Sequence, residues 1–264
     1  MDLFAKSFTF AGTTLSDEYF ICTFESPSTT YESSIKRSTN TSDITPYRST
    51  TFLYGSQYQD VMKFNVSLTK PDKSIFSPSE VDSLVNWLLG PMTYQDFTVL
   101  DFDGEKYHEN IIYHAFCTGY DTFRVGTAIN GMIFSFECDA PYGYAPTETT
   151  NFSSTTSTTI KINNTSDELV DYYPLIKIKS NATGKITLKT DKYPSEVMEL
   201  QVLQNQELAI DNESGTITDN MELFSFEDDF NLTWIHLAPG ENTITITGNV
   251  TGLIECTYIR KRGV

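Results

Sequence analysis

Apolar and polar side chains alternate along most of this chain. Residues 63–69 read KFNVSLT and residues 132–138 read MIFSFEC. The same period returns in TIKIN (159–163), LIKIKS (175–180), KITLKT (185–190) and NTITITGNV (242–250). A period of two puts successive side chains on opposite faces of an extended strand, and the Thr, Ile, Val and Phe content suits a pleated, half-buried surface. Turn formers punctuate these runs at Pro71-Asp72, Asp103-Gly104, Asn130-Gly131, Ser214-Gly215 and Pro239-Gly240. Many short strands at this spacing predict sandwiches or barrels, not units of strand, helix and parallel strand. One segment breaks the rhythm. In SPSEVDSLVNWLLG (77–90), Ser77 suits an N-cap, Pro78 the first helical position, and Glu80 completes a capping box. Val81, Leu84, Val85 and Leu88 recur at helical spacing and form one apolar stripe, and Gly90-Pro91 ends it. Trp87 falls off the stripe centre, with core packing as its leading role and a ligand platform as the alternative.

Two polar stretches interrupt the strand series. Residues 26–51, rich in Ser and Thr, have no apolar face and predict a long surface loop or a protruding hairpin. Residues 145–158, APTETTNFSSTTST, follow a Pro- and Tyr-rich close and precede a new series of strands. This shift divides the chain into a domain at 1–146, a linker at 147–159 and a domain at 160–264. With 264 residues, two modest domains are affordable.

Charge narrows the possible partners. The 18 Lys and Arg residues face 35 Asp and Glu, for a formal net charge of −17. Such a surface repels phosphate backbones and anionic lipid, which leaves room for a protein that nucleic acid must pass without sticking. No apolar run is long enough to span a bilayer, and the first residues lack the apolar core of a secretion signal. The basic end, Arg260, Lys261 and Arg262, reads as a solvated tail.

Little points to catalysis. Cys22, Cys117, Cys138 and Cys256 sit in strand-like runs without paired spacing, and read as small buried hydrophobes. His108 and His114 could share a face, but no third ligand accompanies them, so no metal is expected. Asp101-x-Asp103-Gly104 opens like a calcium loop without the later ligands, and reads as a turn. Glu227, Asp228 and Asp229 could serve as glycosidase carboxylates, though a solvated loop explains them more simply. No nucleophile elbow or phosphate-binding glycine loop occurs. Catalytic, cofactor-binding and metal residues are therefore all expected to be none. Trp234, in a predicted strand–turn–strand over NLTWIHLAPGENTITITG, is the candidate sugar contact, with packing between two sheets as its alternative.

Several phrases, taken in order, resemble a known family. FTFAGTTLSDEYFIC, then GSQYQDVMKFNVSLT with the capped helix ending in WLL, then LDFDGEKYHENIIYHAFC and FSFECDAPYGYA, are similar to the distal tail proteins of long-tailed bacteriophages that infect Gram-positive hosts. LAIDNESGTIT and LAPGENTITITG are similar to that family's C-terminal domain. The resemblance implies a mainly β fold, with an N-terminal ring-forming β-sandwich domain bearing one helix and a C-terminal galectin-like β-sandwich. It implies a structural, non-enzymatic virion protein at the distal end of the tail. As a homohexameric hub it would join the tail-tube protein to the tail tip or baseplate and to receptor-binding or tail-associated adhesion proteins. DNA would only pass through its channel, with no membrane insertion. The alternatives are a carbohydrate-binding module of the adhesion apparatus and a tail-tube subunit.

Overall fold

The computed structural model describes residues 2–22, 37–41 and 53–262. The chain forms two compact units, one running to Tyr144 and regaining the residues from Arg260 onward, the other comprising Ala145–Ile259. In the first unit the strands are β1 (Ser7–Phe10), β2 (Thr13–Thr14), β3 (Phe20–Ile21), β4 (Arg37–Thr41), β5 (Leu53–Tyr58) and β6 (Lys63–Thr69). Helix α1 (Pro78–Leu89) follows, then β7 (Gln95–Leu100), β8 (Tyr113–Val125), β9 (Ala128–Cys138) and β10 (Gly143–Tyr144). Seven of them pair in the order β2-β1-β7-β8-β9-β6-β3, with every neighbouring pair antiparallel.

The alternating aromatic residues build the core of this sheet. Phe97 on β7 is fully buried, with its ring centroid 5.0 Å from Phe8, 5.0 Å from Phe64 and 5.3 Å from Phe136. Phe10 closes the cluster, 5.4 Å from Phe136. These rings come from β1, β6, β7 and β9, so the cluster fixes strands far apart in sequence. Helix α1 forms as its sequence predicts. The Ser77 hydroxyl accepts from the Glu80 N–H, the Glu80 carboxylate accepts from the Ser77 N–H at 2.7 Å, and Leu84 and Leu88 are buried. Trp87 is a packing residue. Its ring lies parallel to Phe8 at 5.6 Å, and its indole N–H donates to the Phe10 carbonyl at 3.1 Å. Lys70 pairs with Glu80 at 2.6 Å, which ties the helix start to the residue just after β6.

Within the polar stretch 26–51, residues 37–41 are β4, which pairs with β5 as an exposed two-stranded ribbon. The rest of that stretch lies outside the described residues. The predicted turn at Asn130-Gly131 is instead inside β9, and the chain reverses at Gly126-Thr127, where Gly126 takes φ +65°. A two-residue reversal needs positive φ, and glycine meets that requirement without strain.

The second unit begins where a linker was expected. Residues 147–159 are mostly strand, in β11 (Glu148–Ser154) and the start of β12 (Ser157–Asn164). Threonine and phenylalanine pack well on a pleated surface, and that outweighs the serine content. The unit continues with β13 (Leu175–Ser180), β14 (Gly184–Thr190), β15 (Val197–Val202), β16 (Glu207–Asp211), β17 (Thr216–Asp219), β18 (Gly240–Thr247) and β19 (Val250–Cys256), and the short β20 (Ile259–Arg260) ends the series. Two antiparallel sheets result, β11-β19-β13-β16-β17 and β12-β18-β14-β15. Ile176, Ile178 and Ile254 of one sheet share a buried cluster with Leu188, Leu200 and Ile246 of the other, as in a sandwich. The predicted run 242–250 breaks at Gly248, where φ is +127°, so it supplies the end of β18 and the start of β19.

On the solvent faces, lysines meet glutamates across strands. The distances are 2.9 Å for Lys161–Glu241, 2.9 Å for Lys177–Glu255, 2.6 Å for Lys179–Glu207 and 2.7 Å for Lys185–Glu199. Each such exposed pair contributes little alone, roughly 0.2–1 kcal/mol.

Two outcomes follow from the first unit. Replacing Phe97 by Ala should cost about 3–5 kcal/mol, because four ring neighbours lose their partner at once; denaturant melts followed by tryptophan emission measure it. Glu80 is held near a pKa of about 2, well below its ordinary 4.5, by hydrogen bonds from Lys70 and from the Ser77 N–H and hydroxyl. Its contribution is therefore present above pH 4.5 and is lost as pH falls toward 2. Glu80→Gln should be clearly less stable than the parent at pH 7, and the gap in urea midpoint should shrink toward pH 2.

Candidate assembly surfaces

The histidines and carboxylates were tested first as chemistry. His108 lies in the loop after β7, with Nδ1 2.6 Å from Asp101 and its backbone N–H donating to the same carboxylate at 2.7 Å. Burial works against the Asp101 charge, but the hydrogen bonds from His108 outweigh it and hold its pKa below the usual value. His114 lies on β8, 2.9 Å from Asp139, and that bond raises its pKa. The two histidines thus answer to different carboxylates. Among the described residues no group of His, Cys, Asp and Glu could hold a metal ion.

Asp103 of the calcium-like phrase pairs instead with Lys6 at 2.7 Å, and the Glu105 N–H closes the turn onto the Phe102 carbonyl. In the second unit both ring nitrogens of His236 are occupied, by Asp171 at 2.9 Å and Glu196 at 2.8 Å, so neither is open to a substrate. Asp228 and Asp229 accept hydrogen bonds from Ser225, and Glu227 is exposed in the same turn. That turn has no facing carboxylate pair across a cleft.

Trp234 is half-buried and packs on the second core. Its ring meets Phe230 edge-on at 4.8 Å and lies 6.0 Å from Phe226. Gly215 forms part of its bed, since a Cβ there would sit 3.6 Å from the indole. The predicted strand at 234–237 is reduced to one bridge, Leu237 with Tyr172. Side-chain bonds hold the segment instead. The buried Asn212 accepts from the Ile235 N–H at 2.8 Å and donates to the Pro174 carbonyl at 2.6 Å. An open cleft of about 560 Å³ crosses the outer face of the five-stranded sheet, between Lys177, Lys179, Glu207 and Leu253, and its lining contains no aromatic ring.

The feature that sequence reasoning missed is an edge. Strand β8 has 13 residues, whereas its neighbour β7 has 6 and pairs with it only through Ala115. From Cys117 to Val125, β8 pairs with β9 on one side, and no described strand pairs with its other side. Residues 118–125 are mostly exposed, including Tyr120, Phe123 and Val125, the last at 63%. A strand that overhangs its neighbour is in general a template for another strand. The available signal was the long strand-like reach of 113–138, interrupted only at Gly126-Thr127.

The comparisons agree in kind. Residues 4–140 match the family model described as phage tail protein N-terminal domain, and residues 142–256 match the one described as phage tail C-terminal domain. The fold is similar to the crystal structure of the Dit protein of phage SPP1, described as a paradigm of the hub adsorption apparatus in phages infecting Gram-positive hosts. The TM-score is 0.64 at 14% identity, covering 96% of this chain and 98% of that one. Phage P2 baseplate structures in the activated conformation, with calcium and with strontium, each give 0.47 at 8% identity over 87% of this chain and 88% of theirs. No curated protein matches the sequence.

The cysteines give a direct test of the packing. Burial pushes the thiols of Cys22, Cys117 and Cys256 up to about 11 and that of Cys138 up to about 12. At pH 8 an aromatic disulfide reagent should react with the folded protein far more slowly than with a free thiol, and should titrate all four cysteines after unfolding.

Proposed function

The chain belongs to the phage tail protein family whose two domain models it matches in succession, and from that premise we propose that it is the hub at the distal end of a phage tail. In this reading six copies close into a ring that joins the tail tube to the tip and carries the adhesion proteins. The first unit forms the ring, and the second is a galectin-like sandwich that serves the attachments. The role is structural and not catalytic. The first domain then ends near residue 146, as expected from the sequence, and the second begins there and takes in β11 and β12 in place of a linker.

The observation that carries the proposal is the match to two phage tail domain models in succession, over residues 4–140 and 142–256. The end of β8 near Val125, which no described strand borders on its far side, is where the next copy would meet it, and such head-to-tail contacts either close into rings or run on as filaments. Likeness to the SPP1 hub protein over nearly the whole of both chains supports the same reading. A tail-tube subunit would need only the first unit, so the second unit favours the hub. Six copies at −17 each would also repel DNA moving through the channel.

A second reading has one observation in its favour. Trp234 is half-buried beside the exposed Phe226, which suits a carbohydrate contact. Its cost is that the indole already serves as packing for Phe230.

Light scattering on the purified chain should give six times 29.8 kDa, with hollow rings in negative-stain images of the same sample. Val125→Glu should yield monomers whose unfolding midpoint stays close to the parent's, because that side chain is 63% exposed. Monomers from the parent chain, with and without tube protein, would overturn the ring; an unaffected ring in the variant would remove this end of β8 from its interface.

A further inference from the structure

The second unit carries an exposed apolar patch beside its half-buried tryptophan. Phe226 is 39% exposed, and Leu223 and Leu232, on the same irregular segment between β17 and β18, are 63% and 62% exposed. Phe226 lies 5.4 Å from Phe230 and 6.0 Å from Trp234, so two surface aromatics rest on one buried ring. The segment is fastened rather than loose. Asp219 accepts from the N–H groups of Met221, Leu223 and Phe224, and Asn231 bonds the backbone of β15 at Val197 and Glu199. Leu232 is held with φ +60°, in the left-handed region, with its side chain in solvent.

Charge identifies what such a patch would accept. No Lys or Arg occurs between Lys192 and Arg260. Several carboxylates of this stretch are paired with cations: Glu199, Glu207, Glu241 and Glu255 with lysines, and Glu196 with His236. The rest fall within residues 211–229, around the aromatic patch. Of these, Asp211, Asp219 and Asp229 lock backbone turns. Glu213, Glu222, Glu227 and Asp228 are exposed, and among the described residues no cation lies within ion-pair distance of them. Glu213 belongs to the turn whose Gly215 beds the indole, and Glu227 and Asp228 sit between Phe226 and Phe230. Apolar rings set among unneutralised carboxylates attract guanidinium and ammonium groups through both ring faces and charge. A neutral sugar could donate hydroxyl hydrogen bonds to the carboxylates but would gain no charge–charge attraction from them.

We propose that the surface formed by Phe226 and Trp234, with the exposed Glu213, Glu222, Glu227 and Asp228 on the segments that carry and bed those rings, docks a basic segment of a partner protein, one that carries arginine or lysine beside apolar residues. The inference deepens the hub reading by giving the chemistry of an attached protein. The test uses the chain alone, so it can fail while the ring stands, and the ring can fail while it stands.

The chain has two tryptophans, so Trp87→Phe leaves Trp234 as the only indole emitter. A short peptide alternating arginine and leucine is titrated against that variant, and by calorimetry against the parent chain, so that instability of the variant cannot decide the result. The expected outcome is a saturable change in Trp234 emission that weakens with salt. Changing Glu213, Glu222 and Glu227 together to Gln should reduce affinity by about tenfold, and Phe226→Ala should reduce it as well. The matching citrulline peptide, equal in shape but uncharged, should not bind. Equal binding of the citrulline peptide, an unchanged affinity in the triple variant, or displacement of the peptide by a neutral oligosaccharide would each overturn the proposal.

Discussion

Both units depend on one constraint: a strand that buries alternate side chains can be paired in only one register. A slip of one residue on β1 would turn Phe8 and Phe10 to solvent and bring Ser7 and Thr9 into the core. The same slip on β13 would exchange Ile176 and Ile178 for Lys177 and Lys179. Each exchange removes large apolar groups from the interior and buries polar ones in their place. The four-ring environment of Phe97 sharpens the constraint, since it is satisfied only when β1, β6, β7 and β9 are all in register.

That constraint also explains what was legible in the sequence. KFNVSLT and LIKIKS coincide with β6 and β13 to the residue, because their alternation is the burial pattern itself. Helix α1 was legible because its cap is local: Ser77, Pro78 and Glu80 act within one turn. Signals that compete locally were misread. Asn130-Gly131 favours a tight turn, yet the reversal at Gly126-Thr127 keeps Met132, Phe134 and Phe136 on the buried face. The Ser- and Thr-rich start of the second unit reads as a linker until its pairing with β18 and β19 is known.

What could not be read was non-local. The overhang of β8 past β7 is a difference in length between strands that meet only in the sheet. Trp234 was singled out by its residue type, but its surroundings come from Gly215 in one turn and from Phe226 and Phe230 in another. Asn212 and Asn231 do the positioning, and a lone asparagine in a polar stretch gives no advance sign of which backbone it will hold.

The four lysine–glutamate pairs of the second unit also bear on how its strands find one another. Their lysines lie on β12, β13 and β14, and their glutamates on β15, β16, β18 and β19. In the finished sheets each of those four acidic strands borders a lysine-bearing one, with β13 between β16 and β19, and β18 between β12 and β14. Any pairing of the acidic strands with each other sets like charges side by side and is disfavoured. Small surface attractions thereby act as a sorting rule. The lysine strands also come first in the chain, so on a ribosome they emerge before every strand they are meant to select, and stand as a template when their partners arrive.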